Sequence, residues 1–438
     1  MRPFEVTNRL VLGIALPMTF AYLTTPLLGI VDTAIIGQFG DAALLGGLAA
    51  GAIVFDVVFT TFNFLRAGTT GLVAQAFGRD DRLEEQAVLL RALLIAIVAG
   101  LVIVLLGPLI NAGGILFIDP EPRVAEAMNA YVSVRILGAP LTLINYAILG
   151  YVLGRGEGLL GLLLQILLNG ANIALSVLLG LYLGWGIAGV AWGTLGGEAL
   201  SALVGFAILV RRFRQGPGVA RSRVFDLPEI MRMVAMNRDI MIRSFSLLAV
   251  FALFTREGAQ FGTLTLAANA VLMNFFLISS YFLDGLATAA EQLAGRAVGA
   301  HYEPAFRRSV RLTGLWGFGV ALLMAGFFLL FGSDLVSLIA RSPEVQAAAG
   351  IYLPWAAFIS VAGVLAFQMD GVFIGATWSR DMRNMMLVSL AIYLVALYSL
   401  TAVFGNHGLW AALYVSLVAR GMSLASILPR RTRQVFAS

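Results

Sequence analysis

The sequence predicts an all-α integral membrane protein with twelve transmembrane helices. They form two six-helix halves related by a pseudo-two-fold axis along the membrane normal. Three observations predict this. Sixty per cent of the 438 residues are hydrophobic and only 12% are charged, about half the charged share of a soluble domain, and the mean hydropathy is +0.90. Uncharged runs recur at about the 20 residues a helix needs to cross a bilayer. Glycine motifs of the first half return in the second at a constant offset. The same composition excludes a water-soluble multidomain enzyme and a disordered chain. The chain has no cysteine, no lysine, and only two histidines, His301 and His407. That removes disulfides, thiolate metal sites, P-loop and Schiff-base lysines and most Ser-His-Asp arrangements. No cofactor or metal motif is present.

The spans are expected near 10–37, 44–77, 88–110, 125–154, 158–181, 187–210, 240–257, 265–298, 309–333, 347–376, 384–404 and 408–428. The first begins with an uncharged run, Leu10 to Val31. It is too long for a secretory signal and lacks a small-residue cleavage pattern, so it is read as a retained span. The fifth and sixth form a hairpin, because the 40 uncharged residues between Glu157 and Glu198 are interrupted by the glycine-rich turn Gly180 to Gly186. Of the 29 arginines, 24 fall on the side that holds the N-terminus, among them Arg2, Arg91, Arg243 and Arg420. Only Arg123, Arg256 and Arg341 fall on the other side, and Arg66 and Arg135 lie within spans. The positive-inside rule then places both termini in the cytoplasm, in a membrane of the bacterial inner-membrane type. The pI near 9.7 reflects topology, and no nucleic-acid face is expected.

Gly78, Gly150 and Gly154 have partners 221 residues later in Gly299, Gly371 and Gly375. Phe39-Gly40 matches Phe261-Gly262 at an offset of 222. The expected organisation is an N-terminal lobe over 1–212, a cytoplasmic linker over 213–238, and a C-terminal lobe over 239–438. Within the linker, Asp226, Pro228 and the pattern that follows suggest a short interfacial helix leading into the seventh span. An even number of spans in each half makes the repeat parallel, with the substrate path between the halves.

Ionisable groups inside such spans cost about 2.5–3.5 kcal/mol each on insertion scales, so each one asks for a function. Asp32 follows a long uncharged run with no basic residue within a turn, which makes it a candidate for proton exchange. Pro17 and Pro26, upstream in the same helix, each remove a backbone hydrogen bond and make that helix a candidate switch. The fifth span carries Gln165, Asn169, Asn172 and Ser176 on one helical face, suited to a hydrogen-bond network, a cation site or helix-packing contacts. The eighth carries Ser280, Asp284, Thr288 and Glu291 on one face. Arg296 is a possible partner for Glu291, so Asp284 and Asp370 are the preferred acids of the second half. Asp56, Asn63 and Arg66 give the second span a polar face.

At these residues the chain resembles the multidrug and toxic compound extrusion (MATE) family, in its DinF-like branch. The resemblance rests on P-L-L-G-I-V-D-T-A-I-I-G (26–37), F-N-F-L-R-A-G-T-T-G-L-V-A-Q-A-F-G (62–78), N-R-D-I-M-I-R-S (237–244), A-N-A-V-L-M (268–273), D-G-V-F-I-G-A-T (370–377) and M-R-N (382–384), and covers nearly the whole chain. It implies secondary active efflux of small amphipathic, often cationic compounds in exchange for H⁺ or Na⁺, by a protein in contact with membrane lipid and expected to be a monomer. It implies a coupling site of Asp32, Asn172, Ser176 and Thr194, with Pro17 as the helix 1 switch. It also implies a substrate cavity or second coupling site drawn from Asn63, Asn169, Asp284, Glu291 and Asp370. Ser176 departs from the family pattern, which usually has aspartate there. One fewer carboxylate favours H⁺ over Na⁺, although Na⁺ at Asp32 stays open. A lipid-linked precursor flippase of the same superfamily is the other reading, disfavoured by the few intramembrane arginines.

Overall fold

The structure, a computed structural model, describes residues 4–214, 216 and 218–437. Arg2, counted above for orientation, lies outside the described residues. All regular structure among these residues is helical. In order the helices are α1 (Asn8–Gly37), α2 (Ala42–Phe62), α3 (Phe64–Gly78), α4 (Arg82–Leu105), α5 (Gly107–Ile118), α6 (Pro122–Leu137), α7 (Ala139–Gly154), α8 (Gly158–Ser176), α9 (Gly186–Phe213), α10 (Arg221–Val224), α11 (Leu227–Gln260), α12 (Thr263–Gly299), α13 (Glu303–Ile339), α14 (Pro343–Gly375), α15 (Ser379–Phe404) and α16 (Asn406–Phe436).

Among the described residues, ten helical stretches are long and apolar enough to cross a membrane, and the bent pair α6–α7 makes an eleventh. The bend is 50° at Gly138. Pro140 has no N–H to return to the preceding turn, which accounts for it. The second span, Ala42–Gly78, is interrupted only at Asn63. The seventh expected span lies in α11, whose uncharged stretch between Arg243 and Arg256 is too short to register as apolar throughout. The linker differs from expectation in one respect. The segment after Pro228 is the opening of the continuous α11, and the separate short helix is the single turn α10. The outer surface is apolar: Leu105, Leu116, Phe117, Leu330 and Leu338 are almost fully exposed, as lipid-facing side chains are.

The chain divides into two compact units. An N-terminal unit comprises Phe20–Phe77 and Asp81–Val234; a C-terminal unit comprises Ala235–Ser438 with Met1–Thr19 and Gly78–Asp80. One dividing point falls inside α1, two residues after Pro17. The N-terminal core gathers Phe55, Phe59, Met128, Tyr131 and Val190; the C-terminal core gathers Phe254, Phe275, Phe328, Tyr393 and Trp410. The repeat is visible as packing. A Cβ on Gly150 or Gly154 of α7 would collide with the carbonyls of Arg66 and Thr70 in α3, and one on Gly371 or Gly375 of α14 with those of Ala287 and Glu291 in α12. Both the glycines and the carbonyls they approach are 221 residues apart, so the second half repeats the first half's close helix contact.

Candidate functional site

In the N-terminal unit, α1, α6, α8 and α9 bring together a polar cluster. Asp32 is 8% exposed, and its Oδ1 is buried without a hydrogen-bond partner. Its carboxylate faces the Ser176 hydroxyl and the Arg135 guanidinium. Ser176 donates to Asn172 Oδ1 at 3.0 Å, and Thr194 approaches the same oxygen at 3.4 Å. The four residues named for the coupling site therefore share one place. Asn169, one turn before Asn172, donates from Nδ2 to Thr24 Oγ1 of α1 at 2.6 Å, extending the polar seam along α8. All of α8's polar stripe except the half-buried Gln165 is buried.

The approach of α8 to α9 depends on glycine. A Cβ on Gly193 would lie 2.5 Å from Ser176 Oγ, and one on Gly197 would lie 2.8 Å from the Asn172 backbone nitrogen. Small residues at this spacing let membrane helices touch backbone to backbone. Directly after Ser176 the helix widens into a π-helical turn, Val177–Tyr182. Such turns interrupt the regular ladder and often sit at functional positions.

Two members of this neighbourhood were not singled out by the sequence. Arg135, at the end of α6, forms an ion pair at 3.2 Å with Glu198 of α9; Glu198 is buried and Arg135 nearly so. Asn145 Nδ2 donates to the Glu198 carbonyl at 2.9 Å, and Arg135 stacks on Phe55 at 5.0 Å. The available signal was position: Glu198 falls one turn after Thr194, on the same face of α9. Asp56 and Asn63 are exposed. Asn63 accepts from Arg66 Nε at 3.2 Å at the α2–α3 break, outside the cluster. Pro17 and Pro26 lie within the unbroken α1, Pro26 exposed and Pro17 half-buried.

The C-terminal unit treats its acids differently. Asp370 of α14, named for the substrate cavity or a second coupling site, accepts on Oδ2 from Arg243 Nη1 of α11 at 2.7 Å, with Arg420 Nη2 of α16 at 3.6 Å. Both arginines, counted in the sequence as loop charges, are drawn inward by this carboxylate. Asp284 is half-buried on α12 and close enough to act on the charge of Arg420. Glu291 is buried on the same helix, while the Arg296 guanidinium lies 3.9 Å from the centre of the Phe4 ring.

Repeated spans with ionisable groups at membrane depth define a polytopic membrane protein of the transporter class. Its fold matches "Outward-facing conformation of a multidrug resistance MATE family transporter of the MOP superfamily" with a TM-score of 0.87 at 16% identity, covering 99% of this chain and 100% of that one. A Vibrio cholerae MATE transporter matches with a TM-score of 0.89 at 18% identity, covering 98% of each chain. The MatE family model matches residues 17–178 and 240–399, and the chain belongs to the MATE family, whose members are transporters and not enzymes. It is 37% identical over 426 residues to DNA damage-inducible protein F of Escherichia coli (strain K12), covering 96% of this chain and 92% of that protein. It is 24% identical over 454 residues to a probable multidrug resistance protein NorM of Chromobacterium violaceum, covering 97% and 94%.

Proposed function

We propose that this chain is a multidrug exporter of the bacterial inner membrane that expels small amphipathic, often cationic compounds in exchange for H⁺ by alternating access. Its relatives' names, among them multidrug resistance protein NorM, support the efflux reading. The observation that carries the coupling ion is the N-terminal cluster. Asp32 is the one carboxylate among Asn172, Ser176 and Thr194, and the nearby acid Glu198 is already paired with Arg135. A proton needs a single carboxylate. A Na⁺ ion gains from several negative oxygens, and in a low-dielectric site each missing charge weighs heavily.

In this reading Asp32 is ionised when the site is open to the cytoplasm and protonated from outside. The gain and loss of its charge shifts α1 about Pro17 and Pro26, where the backbone lacks hydrogen bonds. Asn172, Ser176 and Thr194 hold the carboxylate in either state. Asn63, Asn169, Asp284, Glu291 and Asp370 would line the cargo path or a second coupling step, Asp370 only after Arg243 and Arg420 release it.

The test is transport by purified protein in proteoliposomes. An imposed pH gradient alone drives efflux of a cationic dye, and Na⁺ adds little. Ser176→Asp, which places a second carboxylate beside Asp32, makes transport respond to Na⁺. Strong stimulation of the unaltered protein by Na⁺ with no pH gradient would overturn the proton assignment.

A further inference from the structure

A single carboxylate explains why a proton suffices at Asp32, but it does not explain what keeps a metal cation away. The oxygens for one are present. Asp32 Oδ1 is buried without a hydrogen-bond partner. Asn172 Oδ1 lies 3.0 Å from Ser176 Oγ and 3.4 Å from Thr194 Oγ1. All four side chains are more than nine-tenths buried, and hard cations bind to oxygens of these kinds. Against them stands one cation of the protein's own. The charge of Arg135 bears on the Asp32 carboxylate, although among the described residues Asp32 makes no ion pair. Arg135 is tied to Glu198 by one contact, Nη1 to Oε1 at 3.2 Å, and the Phe55 ring backs it at 5.0 Å. Its Nε and the Glu198 Oε2 are both buried and unbonded. The pair therefore uses one bond of a fork that offers two. Its distinguishing feature is where it places the positive charge.

We propose that Arg135 sets the coupling ion: its guanidinium takes the place of a metal cation beside Asp32 and so excludes Na⁺ from the oxygens of Asp32, Asn172, Ser176 and Thr194. With Asp32 ionised, Asp32, Glu198 and Arg135 sum to one negative charge. A proton cancels it by forming a covalent bond to one carboxylate oxygen. A Na⁺ ion would have to shed its water and sit near a fixed guanidinium, where a low dielectric makes like charges repel strongly. This deepens the transporter reading and rests on it only in calling the excluded ion a coupling ion. The exposed Asp56 of α2 also feels the Arg135 charge, so the experiment has to separate the two acids.

The test is equilibrium binding of radiolabelled Na⁺ to the purified full chain in phosphatidylcholine nanodiscs. It is run at mildly alkaline pH, where protons compete least, with choline chloride holding the ionic strength constant. The parent binds Na⁺ weakly. Arg135→Gln tightens binding about tenfold or more, the scale of one like charge removed at close range. Arg135→Lys keeps a cation in place and stays near the parent; a gain equal to that of Arg135→Gln would assign the effect to packing and overturn the proposal. Arg135→Gln strands Glu198. If it does not fold, the double variant Arg135→Gln, Glu198→Gln leaves neither charge of the pair behind and carries the test, with a gain in the same direction. Adding Asp32→Asn abolishes the gain. A gain that survives Asp32→Asn, at Asp56 or elsewhere, overturns the proposal, as does a folded variant without Arg135 that binds Na⁺ no more tightly than the parent. Transport separates this from the proton assignment. A parent driven by Na⁺ in proteoliposomes ends that assignment, yet tighter binding by Arg135→Gln would still identify Arg135 as the residue that holds Na⁺ affinity down. A proton-driven parent whose Arg135 variants gain nothing leaves the assignment standing and sinks the role of Arg135.

Discussion

Asp32 and Asp370 occupy comparable situations in the sequence and opposite ones in the structure. Each is an isolated acid in a glycine-flanked apolar span. In the N-terminal unit the nearby arginine, Arg135, is held by Glu198 at 3.2 Å, which leaves Asp32 with hydroxyl and amide neighbours and a bare Oδ1. In the C-terminal unit two arginines converge on Asp370 Oδ2, while its Oδ1, like that of Asp32, is buried without a partner, so the two acids differ in their counter-charges and not in having a bare oxygen. An acid whose counter-charge is engaged elsewhere can gain and lose a proton at little structural cost. An acid clamped between two guanidinium groups is part of the framework. The two halves thus differ in how they compensate their acid: Asp32 has no arginine at contact distance, and Asp370 has Arg243 at 2.7 Å and Arg420 at 3.6 Å.

The largest expected effect tests the first side of that contrast. Asp32→Asn should reduce drug resistance in cells to the level of an empty vector while protein abundance in the membrane stays normal. Because no ion pair at contact distance is lost, its thermal unfolding in detergent should shift by less than about 1 kcal/mol equivalent. Near-normal resistance would end the assignment.

Asp370→Asn should behave in the reverse manner. It strands the buried Arg420 and the half-buried Arg243, and breaking a buried pair costs about 3–5 kcal/mol, read as a lower unfolding midpoint of the purified protein. If it unfolds no earlier than Asp32→Asn, the two acids are equivalent and the contrast fails.

A double-mutant cycle on Arg135→Gln and Glu198→Gln measures how firmly Arg135 is kept from Asp32. The double variant should be more stable than the sum of the single losses by about 1–3 kcal/mol, as for buried groups in contact. Simple additivity would mean that Glu198 does not hold Arg135.

The smallest effects concern the α8–α9 seam. Gly193→Ala places a methyl group against Ser176 and should cost about 1–3 kcal/mol, as overpacking does, with slower transport at unchanged expression. Gly170→Ala, on the open face of the same α8, should leave stability unchanged or raise it by about 1 kcal/mol or less. Equal effects at the two glycines would show that the close approach of α8 and α9 is not what holds the cluster together.

Span positions, the parallel repeat and the four residues around Asp32 were legible in the chain itself. The reason is that a bilayer enforces length and apolarity on every span, while helical spacing alone aligns Asn169, Asn172 and Ser176. The family pattern supplied Thr194. Partnership was not legible. Arg243 and Asp370 are separated by 127 residues, and Arg135 and Glu198 by 63. Charge at a span's edge looks the same in sequence whether it meets water or turns inward. The close contact of α8 with α9 likewise became clear only when Gly193 was seen against Ser176. Sequence determined which stretches enter the membrane, because apolarity and length are properties of each span's own composition. Only the tertiary structure decided which of those charges neutralise one another, because Coulombic and hydrogen-bond partners are set by distance across helices.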